Sequence, residues 1–151
     1  MTLPFPKVEP NGYTSWGRTE FVLVENFDLS IDLGWGQYDF LVAKGTTTDF
    51  GSVPWPLRLF VNPLDPQLLV GWLIHDDLYR RHVTTRFFAD ALARFVHQLY
   101  GAGWPKRLAV YYAVRCFGWL AWRNVKIEAV AEQSPDIAAK VKRWAGNDRL
   151  M

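Results

Sequence analysis

The sequence predicts an α+β fold: a small N-terminal antiparallel β-sheet, then a loop, then about four α-helices. Three observations predict it. Segments rich in β-branched and aromatic residues lie in the first third of the chain. Residues 45–66 are punctuated by Gly45, Gly51, Pro54, Pro56, Pro63 and Pro66, as a loop would be. Beyond them, caps and apolar spacing are helical. The 151 residues are the length of one domain. Without repeats, low-complexity tracts or a linker, residues 1–151 read as a single domain, with its sheet over about 18–45 and its helical part over about 65–146.

Residues 19–24 (TEFVLV) and 38–42 (YDFLV) are the strand candidates, with Gly34, Gly36 and nearby Asn and Asp residues suited to the turns. Asp65-Pro66 is an N-cap followed by proline at the first helical position, opening a helix that runs to about residue 81. Thr84 or Thr85 caps a second helix, which ends at Gly101. Pro105 opens a third and long one to about residue 130, and Ser134-Pro135 a last one ending at Gly146.

Composition bounds the function. Half of the residues (50%) are hydrophobic and 16% aromatic, too apolar for a disordered chain. Eight tryptophans bring large surfaces to bury or to present to a partner, and Trp119 and Trp122 with Tyr13 and Trp16 are the candidates for an exposed patch that meets another protein or a lipid surface. A net charge of +2 does not by itself imply nucleic acid, and that partner is not expected. Arg123, Lys126, Lys140, Lys142 and Arg143 make the C-terminal third basic, first of all a solvated helix face and second a patch for acidic lipid or nucleic acid. Cys116 is the only cysteine, so neither a disulfide within the chain nor a cysteine metal site is available. No signal peptide is visible in MTLPFPKVEPNGY, and synthesis in the cytosol follows. Residues 108–122 are apolar, but a span needs ~20 residues and this run contains Arg115; it reads as a buried central helix, not a transmembrane one.

The chemically richest segment is His75-Asp76-x-x-Tyr79. On a helical wheel, Leu68, Gly71, Trp72, Leu78, Tyr79 and His82 lie within about 60° of His75. His75 and Tyr79 are one turn apart and can touch. Asp76 falls at the edge of the stripe, and Asp77, Arg80 and Arg81 point to solvent. Burying such groups without partners is costly. In the bland reading His75 and Tyr79 bond to loop carbonyls and Asp76 pairs with Arg80. In the functional reading His75 is a general base and Asp76 a metal ligand, or both bind metal, since imidazole titrates near neutrality and carboxylates suit hard cations such as Ca²⁺, with Zn²⁺ the second choice.

Asp49, in the loop TTTDFGSVP, either caps a turn or is a second carboxylate facing His75 and Asp76, with Thr48 and Ser52 as loop support. No G-x-S-x-G elbow surrounds Ser52. In the second helix the stripe Phe88, Ala91, Leu92, Phe95 and Leu99 reads as core. Asp90 lies roughly 200° from Phe88, on a solvent face beside Arg86, Arg94 and His97; a helix held between two neighbours would turn it inward to orient His75. Arg115 needs a carboxylate, and Asp49 and Asp90 are the candidates.

T-D-F-G-S-V-P, H-D-D-L-Y, A-D-A-L and Y-Y-A-V-R-C-F-G-W, in that order over roughly residues 20–122, resemble domain-of-unknown-function family 1353. The resemblance implies a protein of tailed bacteriophages and prophages, synthesised in the host cytoplasm, with the virion as a second location. It supplies no activity. H-D-x-x-Y with an aspartate on a later helix is also similar to the catalytic helices of secreted and parvoviral phospholipases A2. That likeness implies His75 activating water, Asp76 binding Ca²⁺, and Tyr79 and Asp90 positioning the histidine. A Y-x-G-x-G calcium loop does not precede the helix; Asp49 would complete a different metal shell.

Three functions follow as expectations. One is a phage hydrolase acting on an ester in lipid or the host envelope, with catalytic His75, Tyr79 and Asp90 and a metal on Asp76 and Asp49. Another is a non-enzymatic virion or tail-associated protein that meets other virion proteins. The last is a host-modulating binding protein.

Overall fold

The computed structural model describes residues 3–13, 17, 19–34, 36–50, 61–62 and 64–124, except for the side chains of 120, 121, 123 and 124. Among the described residues five strands precede three helices in chain order. The described residues form two compact units, one up to Thr47 and one from Thr48 onward.

The first unit holds two small sheets where one was expected. In the first, β1 (Val8–Tyr13) pairs antiparallel with β2 (Thr19–Leu23), from Val8 opposite Leu23 to Tyr13 opposite Thr19. The register slips between Pro10 and Gly12, where proline cannot donate to a ladder and Gly12 takes a φ of 117°. β1 lies outside the expected sheet limits: VEPNGY carries none of the apolar alternation by which strands are recognised, and it is mostly exposed. The short β5 (Thr47–Thr48) is the third member. Next to it, Leu23 N–H donates to the Thr46 carbonyl at 2.9 Å and Gly45 N–H to the Leu23 carbonyl at 2.8 Å.

The second sheet is a hairpin of β3 (Phe27–Asp32) and β4 (Gln37–Val42), paired from Phe27 opposite Val42 to Asp32 opposite Gln37. Its alternation is strict. Phe27, Leu29, Ile31, Tyr38, Phe40 and Val42 are buried, while Asp28, Ser30, Asp32 and Asp39 face out. At the turn, Gly34 has a φ of 86°, and its N–H bonds to the Asp32 carboxylate at 2.7 Å.

In the second unit α1 (Pro66–Arg81) starts and stops where its caps dictate. The Asp65 side chain accepts from Gln67 N–H, Pro66 follows, and His82 closes the helix in the left-handed region at a φ of 50°. Asp65 also bonds Lys106 Nζ at 2.6 Å, and Lys106 reaches Gln67 Oε1 at 2.9 Å. α2 (Arg86–Leu99) is capped by Thr85, whose hydroxyl accepts from Phe88 N–H. α3 runs Trp104–Asn124. The fourth expected helix, at residues 134–146, and the continuation of α3 to 130 lie outside the described residues, as do Trp16, Ser52, Lys126, Lys140, Lys142 and Arg143.

Helix α2 is held between α1 and α3, which rotates its buried stripe away from the expected one. Ala89, Asp90, Leu92, Ala93, Val96 and His97 are buried, while Leu99 is exposed and Phe88 and Phe95 are half-buried. A helix covered on two sides buries an arc wider than its most apolar stripe. Helix α3 is not buried all round: Val110 and Ala113 are enclosed, while Tyr112, Phe117 and Trp119 stand exposed. Trp122 does not join an exposed patch, because it packs edge-on against Tyr79 and stacks on His82, with centroids 4.9 and 4.1 Å apart. Among the described residues no helix is long and apolar enough to cross a membrane.

Candidate functional site

Asp90 is the hub of the helical unit. It is 0% exposed, and its two oxygens divide their partners. Oδ1 accepts from His75 Nε2 at 2.9 Å and from the Tyr79 hydroxyl at 2.6 Å. Oδ2 accepts from Arg115 Nη1 at 2.9 Å, with Arg86 Nε at 3.7 Å. The spacing of His75 and Tyr79 places both rings on one face of α1, with centroids 4.0 Å apart, so that one carboxylate oxygen reaches both. A buried carboxylate with three donors is stable only as an anion. Burial raises the Asp90 pKa, but hydrogen bonds from His75, Tyr79 and Arg115 outweigh it and hold the carboxyl below its usual 3.8.

Arg86 joins the cluster to α3. Its Nε donates to the Tyr79 hydroxyl at 3.3 Å, and its Nη2 to the carbonyls of Val114, at 3.0 Å, and Arg115. A Cβ on Gly118 would come within 2.8 Å of the Tyr79 hydroxyl oxygen, so the close passage of α3 over this ring depends on the missing side chain. Burial and the Asp90 charge push the Tyr79 phenol well above its usual 10, so it is a donor throughout the physiological range.

On the other side of the imidazole, Asp76 Oδ1 lies 3.8 Å from His75 Nδ1, too far for a direct hydrogen bond. Asp76 Oδ2 accepts from the Thr48 hydroxyl at 2.5 Å, and that hydroxyl oxygen accepts from Phe50 N–H at 3.0 Å. Thr48 is fully buried, and Phe50 sits at a φ of 51°, unusual for a residue with a side chain. Burial disfavours a charged His75, but the carboxylates of Asp76 and Asp90 flanking the ring outweigh it, and its pKa is raised above 6.5. Because Nε2 donates to Asp90, the neutral ring presents its lone pair at Nδ1, on the Asp76 side. His75 is 6% exposed, and the Asp76 side chain is 16% exposed.

The structure thus brings His75, Tyr79 and Asp90 into one cluster and ties Asp76 to Thr48. Asp49 is half-buried between Thr48 and Phe50. Among the described residues the polar groups find other partners than the expected loop carbonyls and Arg80: His75 and Tyr79 bond to Asp90, and Asp76 bonds to Thr48. Asp77 is buried, not solvated, and pairs with Arg81 at 2.9 Å; burial lifts its pKa to about 6 against the pull of Arg81. Asp90 does not lie on a solvent face, and Arg115 finds its carboxylate there. Arg94 does not face Asp90, since its guanidinium lies over the Tyr111 ring, 5.4 Å from the centroid. The expected pairing of Arg86 with Asp90 is present, but sequence reasoning missed the bonds of Arg86 to Tyr79 and α3 and the need for Gly118, although a glycine within an apolar helix is itself a signal of close approach.

Ca²⁺ takes roughly six to eight oxygen ligands. Among the described residues no group of three or more His, Cys, Asp or Glu side chains is placed to hold a metal, and Asp76 already accepts from Thr48. The described donors do not make a calcium shell.

No curated protein and no solved structure matches the chain. A family model matches residues 21–114, a stretch that includes β3, β4, α1, α2 and the Asp90 cluster apart from Arg115. The chain belongs to the family described as Protein of unknown function (DUF1353).

Proposed function

We propose that this chain is a phage-encoded hydrolase of ester bonds in lipid or envelope material, with His75 as the general base. The observation that carries the reading is the sharing of Asp90 Oδ1 between His75 Nε2 and the Tyr79 hydroxyl. This arrangement selects the imidazole tautomer whose Nδ1 is basic and locks the ring's orientation, which a general base requires. It also matches the roles that the phospholipase A2 likeness implies for His75, Tyr79 and Asp90. In the reaction, Nδ1 takes a proton from water as its oxygen attacks the ester carbonyl carbon. The tetrahedral intermediate then collapses, and the departing alkoxide takes that proton back from Nδ1, giving acid and alcohol. Asp90, paired with two guanidiniums, stabilises the imidazolium formed on the way. The cation expected on Asp76 and Asp49 enters none of these steps, because the described donors do not fit it.

Purified chain is to be assayed against vesicles of diacyl phospholipid and soluble short-chain esters, with a His75→Gln variant as control. Hydrolysis should rise with pH through the raised His75 pKa, and the variant should lose at least about a hundredfold, the usual scale of a general base. No hydrolysis of either class, or hydrolysis untouched by His75→Gln, would sink the reading.

A second reading is favoured by one observation: Asp90 is completely enclosed and bonded by groups on all three helices. In a non-enzymatic virion or tail-associated protein the same cluster would serve as a clasp. His75→Gln would then lower stability with no activity to lose.

A further inference from the structure

His97 takes no part in the Asp90 cluster. It lies in the last turn of α2, 0% exposed, with its ring against Gly71 of α1 and edge-on to Trp72 at a centroid distance of 5.4 Å. A Cβ on Gly71 would overlap the imidazole at Cδ2 and Nε2, so the ring fills the notch that the absent side chain leaves. Neither ring nitrogen makes a well-formed hydrogen bond. The charged surroundings are mixed. At the head of α1, Asp65 favours a proton on the ring, as does the Leu68 backbone, while His75 on α1 and Arg107 on α3 oppose one. Asp65 is itself engaged by Lys106. Burial exceeds all of these and drives the His97 pKa down to about 3.

We infer that the contact of α1 with α2 is a proton-operated latch: the uncharged His97 ring closes the seam at Gly71, and acidification draws the ring out and parts the helices there. An imidazolium in this notch would carry two N–H donors with only the Leu68 backbone near enough to accept from one of them, and an open seam gives both to water. Because the folded-state pKa is depressed, the stability the closed ring contributes is complete above the unfolded value of 6.5 and is lost as pH falls from there toward 3. Over that range the open form binds one more proton than the closed form. From pH 7.5 to 4.5 the opening equilibrium should therefore shift roughly a hundredfold toward the open state. The latch is independent of the hydrolase reading.

The test is amide hydrogen exchange on the full chain across that pH range, corrected for intrinsic rates, in wild type and His97→Gln. In wild type, protection along the Gly71 side of α1 and the last turns of α2 should fall about a hundredfold more than in the variant. His75, Asp77 and Asp90 titrate in both proteins, so their effects cancel in the comparison. Equal pH dependence in the two would overturn the latch. If His97→Gln does not fold, the wild-type ring decides by NMR. Imidazolium that appears together with loss of seam protection supports the latch, and a ring that titrates near 6.5 within a protected seam overturns it.

Discussion

Replacing Asp90 with asparagine keeps the shape of the hub and removes its charge. The carboxylate is wholly enclosed and accepts hydrogen bonds from His75, Tyr79 and Arg115. An asparagine still accepts at one oxygen, from His75 and Tyr79, but turns its amide group, a donor, toward Arg115 and Arg86. Breaking a buried ion pair by deleting one partner costs about 3–5 kcal/mol. The Arg115 side chain is 34% exposed and recovers water when released, so the lower end applies, about 3 kcal/mol. Urea unfolding at pH 5.5, followed by tryptophan fluorescence, would report it. With a slope near 2 kcal/mol per molar, the midpoint should fall by about 1.5 M. A loss under about 0.5 kcal/mol is what a solvated surface pair would give, and it would refute the description of Asp90 as a buried, three-donor hub.

Gly118→Ala should cost about 1–3 kcal/mol, because the new methyl forces Tyr79 off Asp90 or α3 away from α1; thermal unfolding checks it, and an unchanged melting temperature would mean α3 does not pass so close. The pH dependence of the cluster has a definite sign. The raised His75 pKa contributes stability that is complete below 6.5 and lost as pH rises through the folded value, while the lowered Asp90 pKa contributes stability present above 3.8 and lost as pH falls. The stability gap between wild type and Asp90→Asn should therefore be wider at pH 5.5 than at pH 8.5 in paired urea titrations.

Much of this was legible beforehand because local rules governed it. Asp65-Pro66 opens α1 as a cap and proline should, and His75 and Tyr79 share a face because they are four apart. Asp90 defeated the wheel for a tertiary reason. Amphipathic periodicity locates a helix's most apolar stripe, but a helix covered on two sides also buries its flanks, and there a charged residue is tolerated when partners arrive from other helices. Two of those partners, His75 and Arg115, lie 15 and 25 residues away in the chain, a separation at which sequence spacing carries no geometric information. The β1 strand was hidden for a related reason, since an exposed edge strand has no apolar alternation to display.

The Asp65 cap has a consequence for how the helices come apart. Its carboxylate serves the first turn of α1 and, through Lys106, the first turn of α3, residues 41 apart in sequence. Loss of that ion pair leaves α1 only its local cap contact, and fraying of α1 removes the anion that holds α3. The two N-termini are thereby coupled, so the ends of the helices, usually the first parts to exchange their amide protons with solvent, should do so here as one cooperative step.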